Sequence, residues 1–149
     1  MSDKIFKITK NLVRAKSIFE LAKDRFSLIK IYPREKVYKI VEEYYEVIKE
    51  MMISFLYAEG YKILGHIELI NYFFNNYKIF NENQKKIIDA LRRLRQGSLY
   101  YGEKATHDFL INNESEIKDI IKILEKFVES KINFGEWNGR ACFYYFPSF

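Results

Sequence analysis

The sequence predicts an all-α protein, an antiparallel up-and-down bundle of four to five helices that ends in an aromatic C-terminal tail. Two observations lead to this prediction. Apolar residues recur in steps of three and four along most of the chain, which is the period of one helix face. The 149 residues include only two prolines and six glycines, so few positions interrupt long helices. We assign a single domain to residues 1–149, with the bundle at about 3–132 and the tail at about 133–149.

The first two helices are predicted to form a hairpin with long arms. An apolar stripe at helical spacing begins at Ile5 and continues until Pro33 stops it. Proline also suits the first turn of a helix, where its missing N–H is not needed, so the second helix is expected to start close to Pro33. Gly60 is expected to end it.

Three further helices are predicted at residues 66–77, 84–99 and 103–130. Polar asparagines separate the first two, and glycines at 97 and 102 mark a bend or an end before the last. The pair Asn112 and Asn113 is expected to break the last helix, because asparagine bonds to its own backbone. No strand is predicted, with FYYF near the end as the one short extended candidate.

The tail has a different composition. From Lys131 onward the segment KINFGEWNGRACFYYFPSF loses the helical period and collects aromatic residues. So many aromatic side chains are expected to be covered. The segment either packs over the bundle or packs into a second copy of the chain.

Charge is unevenly distributed along the chain. The net charge is +5, and residues 1–40 contain eleven Lys or Arg against four Asp or Glu. A basic face of this kind can steer a nucleic-acid backbone, although it also serves solubility. The single cysteine, Cys142, excludes an internal disulfide and a cysteine-based metal cluster, and neither a signal peptide nor a membrane anchor is recognisable. We therefore expect a cytoplasmic protein that makes no membrane contact.

Several kinds of chemistry find no support in the sequence. No glycine-rich phosphate loop is present, and His66 and His107 lack the spacing of a helical metal site, so we expect neither cofactor nor metal. The carboxylates on the second helix are interpreted as a solvated face, with a metal-binding cluster as the alternative; they are Glu42, Glu43 and Glu46. Cys142 is expected to be a small buried hydrophobe.

The segment LRRLRQGSLYYGEK, residues 91–104, is the strongest candidate site. Guanidinium groups there precede two tyrosines, and planar guanidinium forks beside hydroxyl groups can hold a phosphate. Arg95 and Tyr100 would point in different directions on one straight helix, so they converge only if the chain bends near Gly97. The competing interpretation is that the arginines are surface charges, that Arg95 pairs with an acidic neighbour and that the tyrosines cap the core.

Nearly the whole predicted bundle resembles the HEPN family, named for higher eukaryotes and prokaryotes nucleotide-binding, especially its small prokaryotic members. The resemblance rests on RAKSIFELAKDR, on YYEVIKEMMISFLYAEGYKILGHIELINYF, and on LRRLRQGSLYYGEKA. The middle block is the most specific, because it joins a tyrosine-rich helix, a glycine-lysine turn and His66 at the start of the next helix.

The resemblance implies a helical bundle, commonly a homodimer, with an arginine motif at a cleft and metal-independent RNA cleavage. Arg95 and Gln96 fit the start of the motif, but Tyr100 occupies the usual place of its histidine and His107 lies beyond the usual spacing. A tyrosine is mostly protonated at neutral pH and is a poor base. Related systems pair such a protein, as the toxin, with a nucleotidyltransferase antitoxin, and Tyr100 or Tyr101 would be the acceptor of a nucleotide modification.

We therefore expect a HEPN-like RNA-binding protein or metal-independent endoribonuclease in a toxin-antitoxin or defence system. Arg95 would stabilise the scissile phosphate as a catalytic residue, and a hydroxyl would come from Tyr100 or Tyr101. Substrate binding is assigned to Arg92, Gln96, Ser98 and His66. A structural role for His66, as a helix cap or packed under the hairpin, is the alternative. The alternative function is a non-catalytic helical module that binds a nucleotidyltransferase or another protein.

Overall fold

The computed structural model confirms an all-α bundle of five helices with one very small sheet. It describes residues 4–95 and 103–139, with side chains described for residues 4–95 and 106–133. The helices are α1 (Leu12–Leu28), α2 (Val37–Glu59), α3 (His66–Asn76), α4 (Glu82–Arg95) and α5 (Glu103–Gly139). Strands β1 (Ile5–Lys7) and β2 (Tyr61–Ile63) pair antiparallel.

The first helix begins later than the apolar spacing predicts. Asn11 caps α1 with its side chain, whose Oδ1 accepts a hydrogen bond from the Arg14 N–H at 2.9 Å. The residues before it form β1, which pairs Ile5 with Ile63 of β2. The prediction of no strand was therefore wrong here. Three residues are too few to show an alternating pattern, and the strand they pair with lies beyond two helices.

The connection between the first two helices also differs from the prediction. A 3-10 turn at Ile29–Ile31 follows α1, and the carbonyl of Pro33 accepts a hydrogen bond from the Lys36 N–H. Pro33 therefore lies in a turn that precedes α2 and not in the first turn of that helix. Its fixed φ serves a turn as well as it serves a helix start, so the sequence alone did not separate the two.

Helix α2 is the centre of the bundle. Of its 23 residues, 15 are buried, and it packs against α1, α4 and α5. Gly60 ends it as predicted, in the left-handed region at φ 92°, with its N–H bonded to the Leu56 carbonyl. A Cβ at Gly60 would lie 2.9 Å from the carbonyl oxygen of Ile8, so this position also lets the N-terminal segment pass closely.

Local signals fix the starts of the two shorter helices. Gly65, at φ 95°, precedes α3, which begins at His66 as predicted. Asn81 and Gln84 exchange backbone-to-side-chain hydrogen bonds of 3.0 and 2.8 Å at the start of α4. This reciprocal pair has the form of a capping box, and it satisfies two otherwise unbonded N–H groups.

Helix α5 starts at Glu103 as predicted but is longer and more continuous than the sequence suggested. Asn113 does not break it, because its Nδ2 donates to the Phe109 carbonyl at 2.8 Å and the helix continues around it. The helix extends to Gly139, past the predicted end near residue 130, because no proline interrupts this stretch. The predicted extended FYYF segment and Cys142 lie outside the described residues.

Aromatic rings fill the core at one end of the bundle. Phe55 of α2 stacks on Phe127 of α5, with ring centroids 4.3 Å apart, and Phe73 and Tyr77 meet both rings edge-on or tilted. These contacts tie α3 to the two longest helices. Within the part of the chain that the structure describes, no helix is both long enough and apolar enough to span a membrane.

Candidate functional site

Arg95, in the last described turn of α4, lies against the middle of α2. Its Nη2 is 2.8 Å from Oε1 of Glu46, and its guanidinium lies over the Tyr45 ring, 5.8 Å from the centroid. Its side chain keeps 31% of its surface exposed. The competing interpretation of the sequence was correct in one respect, because Arg95 does pair with an acid. The ring contact and the partial exposure leave the guanidinium accessible to a ligand.

Glu46 balances the charge of Arg95 without taking up its hydrogen-bond donors. Its Oε1 is buried and has no hydrogen-bond partner among the described residues, because the short approach of Arg95 lacks hydrogen-bond geometry. Its Oε2 lies 2.8 Å from Nζ of Lys49. Burial by itself would raise the pKa of Glu46, but the hydrogen bond and charge of Lys49, together with the charge of Arg95, lower it. Glu46 is therefore a carboxylate at neutral pH.

Tyr45 connects this pair to α3. Its hydroxyl lies 2.8 Å from Nδ1 of His66, and the two rings are nearly parallel, with centroids 5.6 Å apart and 24° between their planes. Tyr45 is 1% exposed, and burial raises its pKa to about 12, so the hydroxyl keeps its proton at neutral pH. Among the described residues the hydrogen bond of the His66 side chain is to Tyr45, so the imidazole packs against α2, and the choice between a structural role and a site role stays open.

Arg92 is the second cation on this side of α4. Its Nε and Nη2 donate to Oδ1 of Asp89 at 3.2 and 3.0 Å, and its side chain is only 13% exposed. It is therefore not the surface charge that the competing interpretation expected. Its charge lowers the pKa of both Tyr45 and His66, although burial and the charge of Arg95 have larger effects.

We name these five side chains the Tyr45 cluster: Tyr45, Glu46, His66, Arg92 and Arg95. Three of them were assigned from the sequence, and the fold brings two of these, His66 of α3 and Arg95 of α4, into contact with the Tyr45 ring. The other assigned residues lie outside the described residues; they are Gln96, Ser98, Tyr100 and Tyr101. Their predicted roles are therefore neither confirmed nor contradicted.

Sequence reasoning missed Tyr45 and misjudged the carboxylates near it. Glu43 was predicted to lie on a solvated face, but it is buried and bonded to Arg25 at 2.9 Å and to Lys39 at 3.2 Å. Glu50 completes this network with a 2.8 Å bond from Arg25. A usable signal was present, because acids at 43, 46 and 50 share one side of a helix whose other positions are mostly apolar.

Outside the Tyr45 cluster, the described residues were compared with two common kinds of site, an enclosed cavity and a metal centre. A cavity of about 110 Å³ lies between α2, β2 and α3, and its lining is mainly apolar, with Lys62 and tyrosines at its edge. Across residues 4–95 and 106–133, no three His, Cys, Asp or Glu side chains gather closely enough to hold a metal ion. The Tyr45 cluster combines convergent polar groups and perturbed pKa values with a half-exposed imidazole and guanidinium.

Comparisons with protein-family models, with curated proteins and with solved structures find no match to this chain.

Proposed function

We propose that the protein is a HEPN-like RNA-binding protein that cleaves RNA without a metal ion, and that the Tyr45 cluster holds the scissile phosphate. One observation supports this more than any other. The guanidinium of Arg95 and the imidazole of His66 come from different helices and meet at one buried ring. A cation held at such a ring is able to bind the scissile phosphate and to stabilise the charge that builds on it during metal-independent cleavage.

The charge around the cluster suits an anionic ligand. Arg95 and Lys49 lie beside Glu46, and Arg92 and Arg93 lie beside Asp89, so several cations are gathered near the Tyr45 ring. Within the described residues, the guanidinium of Arg95 makes an ion pair but no hydrogen bond of good geometry. Its N–H fork is therefore able to bind two phosphate oxygens while Glu46 remains in place.

In the proposed reaction the arginine acts on the transition state. Attack of a 2′-hydroxyl on the phosphate builds negative charge on the equatorial oxygens, and N–H donors already aimed at those oxygens stabilise that charge. Basic residues of the N-terminal 40 residues would attract the strand. The resemblance also implies a homodimer and a toxin-antitoxin or defence setting with a nucleotidyltransferase antitoxin, and these are parts of the same proposal.

The test is cleavage of a mixed-sequence RNA pool by purified protein in EDTA. We expect the wild type to cleave and Arg95→Ala to be slower by about 10²–10³-fold, the usual cost of removing one donor to a developing anion. Arg93→Ala is the matched control, because Arg93 lies on the same helix, is 63% exposed and pairs with Asp89 on the surface. It removes the same charge and is expected to retain the wild-type rate.

Two results would contradict the proposal. Equal cleavage by the wild type and Arg95→Ala would identify a contaminating nuclease. Absence of both cleavage and salt-dependent RNA binding in the wild type would remove the RNA function altogether. Phosphate contacts weaken steeply as salt rises, so the slope of affinity against salt separates true backbone binding from apolar association.

A second candidate function, a helical interaction module, is favoured by the outer face of α1. Val13, Leu21 and Leu28 are 83%, 50% and 44% exposed, and they lie within about 80° of one another around the helix. Exposed apolar side chains on one face are typical of a protein interface. Val13→Glu would abolish binding of a nucleotidyltransferase or another protein at this face and leave RNA cleavage unchanged.

A further inference from the structure

We propose that His66 is the general base of the Tyr45 cluster and that Tyr45 positions its imidazole. This inference rests on the proposed RNA cleavage and adds the proton-transfer group. The arginine motif has Tyr100 where the resemblance leads one to expect a histidine. The fold brings an imidazole from a different helix to the Tyr45 ring, which the guanidinium of Arg95 also contacts.

The two ring nitrogens of His66 have different surroundings. Nδ1 is held by the Tyr45 hydroxyl at 2.8 Å, and the nearly parallel stacking of the rings limits rotation of the imidazole. Nε2 has no hydrogen-bond partner among residues 4–95 and 106–133, and His66 is only half-buried. Nε2 is therefore the ring nitrogen that we assign to the substrate, and the contact with Tyr45 limits its orientation.

Chain geometry explains how His66 reaches Tyr45. Tyr45 lies 14 residues before the end of α2, which corresponds to about 21 Å along the helix axis. Six residues lead from Gly60 to His66, and they cover about 20 Å only if the chain is nearly extended. Strand β2 supplies that extension, and Gly65 turns the chain into α3. Strand β2 thus places the imidazole of His66 beside the middle of α2.

The surroundings keep the imidazole neutral. Burial lowers the pKa of His66 below its ordinary value of 6.5, and the cations Lys49 and Arg95 lower it further. Glu46 acts in the opposite direction but does not reverse the shift. The titratable and charged groups that face His66 are on three helices: Tyr45, Glu46 and Lys49 of α2, Arg92 and Arg95 of α4, and Glu68 of α3. At pH 7 the imidazole is thus able to accept a proton.

Tyr45 itself is unsuited to that role, because its raised pKa keeps it protonated. A buried phenol that stays neutral can instead accept a hydrogen bond from Nδ1–H of His66, and that tautomer leaves Nε2 unprotonated and able to take a proton. His107, the other histidine, is exposed on α5. It is therefore a control for the effect of losing a histidine.

The step conserves atoms and electrons. Nε2 of His66 takes the proton of the 2′-hydroxyl as the 2′-oxygen forms a bond to phosphorus. The bond from phosphorus to the 5′-oxygen breaks, and that oxygen takes a proton from water. The products are a 2′,3′-cyclic phosphate end and a 5′-hydroxyl end, and nothing is oxidised or reduced. Deprotonation of the imidazolium by the resulting hydroxide restores the base.

The experiment measures cleavage in EDTA as a function of pH for four proteins: the wild type, His66→Gln, Tyr45→Phe and His107→Gln. For the wild type, kcat/KM is expected to rise with pH and level off before pH 7, which reports the base of the free enzyme. For His66→Gln, kcat/KM is expected to fall by about 10²–10⁴-fold and to lose its dependence on pH in the acidic range. His107→Gln is expected to keep the wild-type kcat/KM and the wild-type pH dependence.

Tyr45→Phe is expected to lower kcat with little change in KM, because it loosens the base and leaves Arg95 in place. That loss is expected to be smaller than the loss for His66→Gln. Nitrogen NMR of the two histidines, with a 2′-O-methyl RNA that cannot be cleaved, supplies a second readout. His66 Nε2 is expected to shift on binding and His107 is not.

The outcomes separate this inference from the proposed function. If Arg95→Ala is inactive while His66→Gln keeps the wild-type rate and pH profile, His66 is not the base and the RNA function stands. If the wild type neither cleaves RNA nor shows a shift at His66, both proposals fail. If His66→Gln is inactive but unfolded by circular dichroism, the NMR shift in the wild type decides: its presence supports the inference and its absence overturns it.

Discussion

Tyr44 and Tyr45 are neighbours on α2, both are 1% exposed, and both direct a hydroxyl to a polar side chain of another helix. Their surroundings differ. Tyr44 donates to Oε2 of Glu114 at 2.6 Å, and Arg34 binds both oxygens of that carboxylate at 3.1 and 2.7 Å. Among the described residues, the Tyr44 hydroxyl, the Arg34 guanidinium and both carboxylate oxygens of Glu114 each have a hydrogen-bond partner. Tyr45 instead contacts His66 and Arg95, and across residues 4–95 and 106–133 Nε2 of His66 and the N–H groups of Arg95 have no hydrogen-bond partner.

This difference in hydrogen bonding distinguishes a contact that only holds helices together from a candidate ligand site. At the Tyr44 side, donors and acceptors satisfy one another, so the cluster joins α2 to α5 and has no capacity for a ligand. At the Tyr45 side, Nε2 of His66 and the guanidinium of Arg95 make no hydrogen bond to the described residues. Incomplete hydrogen bonding at a half-exposed cluster is expected where a ligand completes it. Four predictions test this contrast.

The largest effect is expected from Glu114→Ala. It leaves the buried Tyr44 hydroxyl without an acceptor and removes the carboxylate that holds Arg34, which costs about 1–3 kcal/mol of unfolding free energy. Urea denaturation measures it, and RNA cleavage is expected to be unchanged. A loss of cleavage in a folded Glu114→Ala protein would show that the two sides of α2 are not independent.

A smaller effect is expected from comparing Tyr44→Phe with Tyr45→Phe. Loss of the Tyr44 hydroxyl is expected to cost about 1 kcal/mol, because a buried charge-assisted hydrogen bond is lost. Loss of the Tyr45 hydroxyl is expected to cost less, since water reaches the half-buried His66. Denaturation of the two variants under one condition makes the comparison, and equal costs would contradict the distinction between the sides.

Acid is expected to weaken the two sides in different pH windows. Burial and nearby cations lower the pKa of His66, so the folded state resists protonation and stability declines as pH falls below 6.5. The hydrogen bonds from Arg34 and Tyr44 lower the pKa of Glu114, so its contribution is present above 4.5 and is lost as pH falls through the folded value. The unfolding free energy of each variant is measured against pH. His66→Gln is expected to lack the decline that begins below pH 6.5, and Glu114→Gln is expected to lack the decline that begins below pH 4.5.

The smallest effect is expected from Glu46→Gln, which keeps the shape of the side chain and removes its charge. Glu46 raises the pKa of His66 through its charge, so the variant is expected to move the acidic limb of the cleavage profile to lower pH. RNA binding is expected to tighten because one repulsive carboxylate is gone. A limb that moves to higher pH would show that Glu46 does not act on His66 in this way.

The sequence was sufficient for most of the helices because their signals are local. Gly60 ends α2 and α3 starts at His66 as the spacing predicted, and these depend on neighbouring residues alone. The β1–β2 pair, the burial of Glu43 and the meeting of His66 with Tyr45 depend on residues far apart in sequence. No periodicity within one helix contains that information. Arg95 was identified as a candidate, but the side chains around it were not.

The short ladder between β1 and β2 has a consequence for the order of folding. Bringing the ends of a long loop together costs entropy, and three paired residues offer little to offset it. The antiparallel packing of α1 on α2 already brings Asn11 beside Tyr57, so most of that entropy is lost before the strands meet. The ladder therefore forms late and can open alone while the helices stay folded. Amide hydrogens of residues 5–7 would exchange with solvent before those of α2.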